Sequence, residues 1–448
     1  MALTAMAIYK NLPKTNCGDC KFPTCMAFAM QVAAKQKPIT DCPHLSAQAK
    51  GDMAEASAPP MKLVRVGPPG QAGFDIGQET VMFRHEEKFH HPPAIAVKIA
   101  ASLSDEEALA RLAAINKARW VRVGQPLGAQ AAAIDLEGLE DAKAAARVQA
   151  LAAQSCLALI LMGSRASALG AAAGAIADKR PLLYKATPAN ADAFFQVALE
   201  RKCPLAISAD SLETLADLAK TAKDKGIADL VLAFDGQFPA RAIRQMTIAR
   251  RAALKKNFRP LGFPAMVEAS RADAAAESMI ASSFAAKYAA IILVNAVDGA
   301  NLLPVLTTIQ NVYTDPQVPN TVEAKLYAIG SVTEDSPLMF TTNFSLTYFC
   351  VAAEVERSKI PAFISVVDSG GLGVLNSYAG DKISPEKVIK TLEAQKALER
   401  VKHRRLIIPG LLPSFRAEIE DASPWKTVLI GPESAAGIPA FLKKLGKS

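Results

Sequence analysis

The chain has 448 residues, half of them hydrophobic and 6% aromatic, with 51 basic against 43 acidic side chains for a formal charge of +8. That length exceeds what one hydrophobic core usually supports, so two or three domains are expected, and Ala-rich segments alternating with short Val/Ile/Leu runs fit globular α/β structure rather than disorder. The charge is modest for the size and has few aromatics beside it, which argues against a nucleic-acid groove.

The opening MALTAMAIYKNLPKTNC lacks a charged n-region, a long apolar core and a small-residue cleavage site, so no secretory signal is expected and a cytoplasmic protein is. No membrane segment is expected either. The most apolar stretch, 157–162 followed by 166–177, is broken by Ser164 and Arg165, short of the roughly 20 residues a spanning helix needs.

Four cysteines follow at Cys17, Cys20, Cys25 and Cys42, spaced C-x2-C-x4-C-x16-C, and only Cys156, Cys203 and Cys350 occur after them. In a reducing compartment such a cluster points to a metal rather than to disulfides. Zinc and an iron–sulfur cluster compete for it. Structural zinc usually takes pairs of C-x2-C, whereas three bunched ligands with a distant fourth, followed here by Pro43, resemble ferredoxin-type runs. Gly18 allows a tight turn that aims N–H groups at the sulfurs. From Cys25 the run MAFAMQVAAK has helical spacing, which predicts Cys25 at a helix N-terminus, where the dipole favours a thiolate. His44 is a candidate alternative ligand, with a surface position as the plainer expectation.

Residues 51–77 are rich in Pro, Gly and Ala and predict a linker with brief pairing through 62–66. Beyond it, apolar runs at 94–99, 120–123, 157–162, 182–185, 205–208, 230–234, 260–263 and 290–294 alternate with amphipathic stretches. These predict the eight βα units of a TIM barrel, with Gly163, Ser164, Asp210, Asp235, Glu268 and Asn295 at the strand ends where barrel sites gather. They form no compact metal triad, so a scaffold role is favoured over catalysis. The segment ETVMFRHEEKFHHPP holds His85, His90 and His91; two adjacent histidines in a strand point to opposite faces, against a shared metal.

After the proline-bearing stretch NVYTDPQVPN a second α/β unit is expected, with strands at 338–341, 362–367, 404–408 and 427–430 and helices starting near Ser345, Leu372, Pro385, Pro413 and Ser434. Ligands of such sheets sit beyond the carboxyl ends of the strands, where small and polar residues fall: Thr341-Thr342-Asn343, Asp368 to Gly373, Pro409-Gly410 and Gly431-Pro432. Dinucleotide binding is disfavoured because GGLG lacks the full GxGxxG spacing and follows a late strand. No D-x-H-x-x-G run is present, so a corrinoid here would receive no cobalt-ligating histidine; His403, in KHRR, is expected to face solvent.

The order of parts, with LPKTNCGDCKFPTCMAFAM and the later DCP, ETVMFRHEEKFHHP, TTNFSLTYF, HRRLIIPG and IGPESAAGIPAFLK, closely resembles the large (gamma) subunits of corrinoid iron–sulfur proteins of the acetyl-CoA (Wood–Ljungdahl) pathway, over essentially the whole chain. The resemblance implies an N-terminal 4Fe-4S module (1–57) on Cys17, Cys20, Cys25 and Cys42, a linker (58–78), a central TIM barrel (79–315) and a C-terminal Rossmann-like corrinoid-binding domain (316–448). It places Thr341 and Thr347 near a base-off corrinoid (cobalamin), with the loop Gly370, Gly371, Leu372 and Gly373, and Gly431, Ala436 and Gly437 around the nucleotide tail. High alanine content and Lys21-Phe22 between ligands depart from the usual pattern without removing a ligand.

It further implies a methyl carrier. Co(I) takes a methyl group from a methyl-tetrahydrofolate or pterin on a separate methyltransferase and delivers it to acetyl-CoA synthase/CO dehydrogenase, while the cluster reactivates Co(II) with an electron from a low-potential donor or reactivating protein. A small (delta) subunit is the implied partner, docked on the barrel, with 51–77 and 313–320 as hinges. The alternative expectation is a self-contained corrinoid methyltransferase whose barrel binds the pterin.

Overall fold

The computed structural model describes residues 5–34, 36–46 and 59–446; part of the predicted linker and first hinge, 51–58, lies outside the described residues. The chain divides into two compact units, Met1–Arg119 with Gly128–Tyr313, and Trp120–Leu127 with Thr314–Ser448.

The first unit opens with two short helices, Ala5–Asn11 and Cys25–Ala33. They enclose a small core of Ile8, Leu12, Phe28, Ala29 and Leu45, which buries Cys25 and Cys42. Residues 59–78 then carry an antiparallel hairpin, β1 (Leu63–Val66) and β2 (Phe74–Gly77). Its apolar face does not stop at local pairing: Val64, Val66 and Ile76 pack into the same core as the barrel strands.

Barrel strands β3 (Ala94–Ile99), β6 (Ala131–Asp135), β7 (Ala158–Met162), β8 (Leu182–Ala186), β9 (Leu205–Ile207), β10 (Leu230–Phe234), β11 (Ala265–Glu268) and β12 (Ala289–Val294) close into a parallel ring, β3 pairing with both β6 and β12. The eightfold α/β barrel expected from the repeat is therefore present, with two strands in other places. The run 120–123 belongs to a separate hairpin, β4 (Arg119–Arg122) with β5 (Gln125–Gly128), on which Val121 is 75% exposed. The barrel strand is instead AAAID, whose alanines carry little β-propensity but fit the narrow interior. Likewise 260–263 falls at a 3-10 turn, Arg259–Leu261, where Pro260 cannot donate a ladder hydrogen bond, and the strand starts at Ala265.

Residues 79–93 hold turns rather than a strand, which corrects the placement of His90 and His91. Both backbone N–H groups donate to the buried carboxylate of Glu79, at 3.0 Å each. His91 Nδ1 is 2.8 Å from the carbonyl of Gly77, and His90 Nε2 is 3.0 Å from Glu87. Glu79 also faces Arg250, whose guanidinium lies over the rings of Phe89 and Tyr288 at 4.8 and 4.5 Å. These histidines thus belong to a strap fixed by a buried ion pair and cation–π packing.

In the second unit, β13 (Leu326–Ile329), β14 (Leu338–Thr342), β15 (Ala362–Val367), β16 (Arg405–Ile408) and β17 (Thr427–Ile430) form one sheet in the order β13-β15-β14-β16-β17. All pairs are parallel except the β13 edge, which sequence reading missed. Apolar cores cover both faces, one around Phe340, Leu406 and Trp425 and one around Met339, Ile364 and Leu442. The tip of the β4–β5 hairpin belongs to this unit: a Cβ on Gly124, at φ +69°, would stand 2.3 Å from Phe349 Cζ.

Candidate functional site

Around the four cysteines the backbone turns through left-handed conformations at Asn16 (φ 50°), Gly18 (φ 81°) and Lys21 (φ 65°), which lets a short loop curl around one point. Asn16 Oδ1 accepts the peptide N–H of Cys25 at 2.8 Å, and Thr24 caps the helix by accepting from Ala27. Cys25 is therefore the first residue of its helix, as expected. Phe22, one of the two unusual residues between ligands, packs on Phe28 with ring centroids 5.8 Å apart.

Cys25 and Cys42 are buried, Cys20 is half-buried and Cys17 is exposed; all are free thiols. Burial pushes the Cys42 thiol up, the peptide N–H of His44 opposes that, and the neighbouring Cys20, Cys25 and Cys17 push it up further. Four thiols within electrostatic reach, two of them in an apolar core, are donors of the kind that soft metals take. His44 is exposed, and its Nε2 sits 2.5 Å from Asp19 Oδ2 beside Cys17. It acts there as a neighbour of the thiols through Asp19, whose carboxyl it holds below the ordinary value.

The second site lies at the carboxyl ends of β14 and β16. The chain runs from β14 to β15 on one side and returns to β16 on the other, so the order reverses between β14 and β16. Those two strands share only the Met339–Ile407 pairing. A cavity of about 350 Å3 opens there, lined by Thr341, Thr347, Val374, Ile408, Gly431 and Phe441 among others. A crevice at a topological switch point is where open parallel sheets take ligands.

Among the predicted contacts, Thr341, Thr347 and Gly431 line this cavity. Thr341 Oγ1 and Thr342 Oγ1 are buried without a hydrogen-bond partner, a costly state, and of the two only Thr341 lines the cavity. Gly370, Gly371, Leu372 and Gly373 form the loop after β15 rather than the cavity wall, although a Cβ on Gly373 would come within 3.6 Å of Thr347 Oγ1. Ala436 and Gly437 sit in the turn Ala435–Gly437, and a Cβ on Gly437 would lie 2.7 Å from Pro432, itself a cavity residue.

Sequence reading missed the role of Asn343. Its Oδ1 accepts from Ser369 N–H, Ser369 Oγ–H and Gly371 N–H at 2.9, 2.9 and 3.0 Å, and its Nδ2 donates to Asp368. Asp368 in turn accepts the Gly370 N–H. The N–H groups of Ser369, Gly370, Gly371 and Leu372 are thereby engaged within the protein. His403, expected in solvent, is half-buried at the opposite end of β16, with Nε2 2.9 Å from the carbonyl of Ser336. Among the described residues, no histidine lines the cavity.

Among known proteins, the sequence matches the family described as CO dehydrogenase/acetyl-CoA synthase delta subunit over residues 64–442 and an Fe-S cluster family over residues 12–44. It is 41% identical to the corrinoid/iron-sulfur protein large subunit of Moorella thermoacetica, covering 99% of each chain. It is 34% identical to the acetyl-CoA decarbonylase/synthase complex subunit gamma of Methanopyrus kandleri, covering 99% of this chain and 98% of that one. The corresponding gamma subunit of Methanothermobacter thermautotrophicus is 32% identical over 99% of both.

Proposed function

The chain belongs to the corrinoid/iron–sulfur protein large-subunit family, and on that premise we propose that it is a cytoplasmic methyl carrier of one-carbon metabolism. The observation that carries this reading is the pairing, on one polypeptide, of a four-thiol centre with a histidine-free cavity at a sheet's switch point. The corrinoid, when bound, supplies a cobalt centre that takes up and gives away a methyl group, and the cluster supplies the electron that restores its reduced state.

Cys17, Cys20, Cys25 and Cys42 would hold the 4Fe-4S cluster, with Asn16 and Thr24 fixing the helix that presents Cys25. Thr341 and Thr347 would offer hydroxyls to the corrinoid, the orphaned Thr341 Oγ1 foremost. The Gly370 to Gly373 loop, kept in shape by Asn343, would let a flat macrocycle approach, and Gly431 with Ala436 and Gly437 would line the path of the nucleotide tail. Among the described residues no histidine lines the cavity, so the residues present would hold the corrinoid through hydroxyl and glycine contacts rather than through an imidazole.

The partners we assign are the small (delta) subunit, a methyl-tetrahydrofolate or pterin methyltransferase, acetyl-CoA synthase/CO dehydrogenase and a low-potential electron donor or reactivating protein. No helix among the described residues is long and apolar enough to cross a membrane.

An anoxic absorption spectrum with metal analysis tests the reading: about four irons with acid-labile sulfide and a base-off corrinoid spectrum are expected. Zinc in a colourless protein overturns it. A Cys17→Ala variant should keep the corrinoid spectrum but fail to regain the reduced state with the physiological donor; normal recovery refutes the cluster's role.

A further inference from the structure

The mouth of the barrel carries chemistry that the carrier role does not use. At the carboxyl ends of β6, β7, β8 and β11 lies a cavity of about 390 Å3, lined by Asp135, Met162, Ser164, Tyr184, Asn190 and Glu268 among others. Three of the residues expected at strand ends, Gly163, Ser164 and Glu268, meet here, while Asp210, Asp235 and Asn295 do not line it. Alternation along the strands sets this arrangement. Inward-facing Ala94 and Ala96 lead to Lys98, Ala131 and Ala133 to Asp135, and Met266 to Glu268, so small apolar layers end in a charged one.

Lys98 Nζ stands 3.4 Å from both Asp135 Oδ2 and Glu268 Oε1. Burial pulls its ammonium down, but the two carboxylates more than reverse this, so Lys98 stays charged. One cation shared by two carboxylates leaves the layer with excess negative charge. Glu268 Oε2 has no partner among the described residues, while Asp135 Oδ1 accepts from Glu137 N–H.

Two further hydroxyls lack partners. Tyr184 is 7% exposed, and its phenol makes no hydrogen bond among the described residues although it lines the cavity. Burial, then the charges of Glu268 and Asp235, hold that phenol protonated. Ser270 Oγ, two residues beyond Glu268 but outside the cavity lining, is buried and unpartnered. Of the two, Ser270 Oγ is an orphaned interior atom, of a kind rare in proteins, whereas the Tyr184 hydroxyl is on the cavity wall, where a ligand can meet it.

The rim is also rigid without a ligand. Glu137 accepts from both the N–H and the Oγ–H of Ser164, and Asn190 bonds the N–H of Thr187. The buried carboxylate of Glu277 accepts the N–H groups of Arg271, Asn295 and Ala296. A preorganised rim around unsatisfied acceptors is the build of a binding site rather than of a loop end.

We propose that the barrel mouth binds a small planar ligand whose edge presents adjacent N–H donors, of the guanidine or aminopyrimidine type, received by Glu268 Oε2 and the Tyr184 hydroxyl. Lys98 positions the Glu268 carboxylate through its other oxygen, and Met162 provides an apolar contact for the ring face. This site is independent of the corrinoid and cluster assignments, which can fail without affecting it.

The test is ligand-observed NMR and calorimetry on the anoxic holoprotein with two probes, isocytosine for the ring source and methylguanidinium for the cation source. Binding of at least one at or below about 1 mM is expected, with the preferred probe identifying the source. Glu268→Gln should weaken it about tenfold and Tyr184→Phe about threefold. Tyr184→Phe leaves every charge in place, so it reads the site even where Glu268→Gln fails to fold. Absence of binding by either probe, or an affinity unchanged in Tyr184→Phe, overturns the proposal.

Discussion

Asp19 and His44 meet through a 2.5 Å contact between Oδ2 and Nε2, tying the loop that carries Cys17 and Cys20 to the segment that carries Cys42. The bond spans 25 residues of sequence, and the three groups Cys17, Asp19 and His44 lie within 4.8 Å of one another. Groups that hold ligand loops in place are expected to govern how firmly a metal is kept.

A His44→Ala substitution removes that tie and leaves all four thiols. Iron should pass to a chelator about tenfold faster than from the native protein, at unchanged initial iron content. The rate of bleaching under anoxia measures this, and an unaltered rate would show that the tie is incidental.

Thr341→Val separates folding from ligand binding. The hydroxyl is buried without a partner, so its loss should leave the stability of the corrinoid-free protein equal or about 1 kcal/mol higher. Corrinoid affinity should nonetheless fall by about threefold to tenfold if that hydroxyl meets the cofactor. Thermal melts of the free protein beside a corrinoid titration give both numbers; unchanged affinity removes Thr341 from the site.

Glu277 is 1% exposed, and its carboxylate serves the N–H groups of Arg271, Asn295 and Ala296. Replacement by Ala strands those donors in the interior. A loss of about 3 kcal/mol in unfolding free energy is expected, and urea unfolding of the barrel checks it.

Burial raises the Cys203 thiol to about 11, against smaller opposing effects of Arg180 and Arg201. A raised thiol pKa lowers the thiolate fraction at all pH values below it, here about a hundredfold relative to an ordinary protein thiol at pH 8. Exposed Cys156 should therefore be alkylated while Cys203 is spared, with the Cys203 rate rising as pH approaches 11. Mass spectrometry of the holoprotein reads the order; equal rates at Cys203 and Cys156 would contradict the burial argument.

How much of this was legible in the sequence depended on the length scale of the signal. The thiols of Cys17 and Cys20 and the helix beginning at Cys25 follow from spacing within a few residues. The barrel followed from repetition, yet β6 was overlooked because AAAID fills a narrow interior with alanine, while RWVR on β4 includes core-like Trp and Val but has no buried residue. The contacts that define the sites were out of reach. Lys98 finds Glu268 across 170 residues, and Asn343 finds Gly371 across 28 through a side-chain oxygen, and no local periodicity encodes either pairing.

The hairpin of β1 and β2 precedes every barrel strand in the chain, but its apolar residues Val64, Val66 and Ile76 are covered only when strands as late as β12, with Leu293, have joined the same core. During synthesis at the usual pace of 5–20 residues per second, its sticky face therefore waits roughly ten to forty seconds for a receiving surface. The half-buried charges of Arg65 and Asp75, paired across the hairpin at 3.1 Å, stay with it throughout that interval. The nascent chain is thus most vulnerable to self-association early in translation, and a chaperone has its greatest opportunity before the barrel closes.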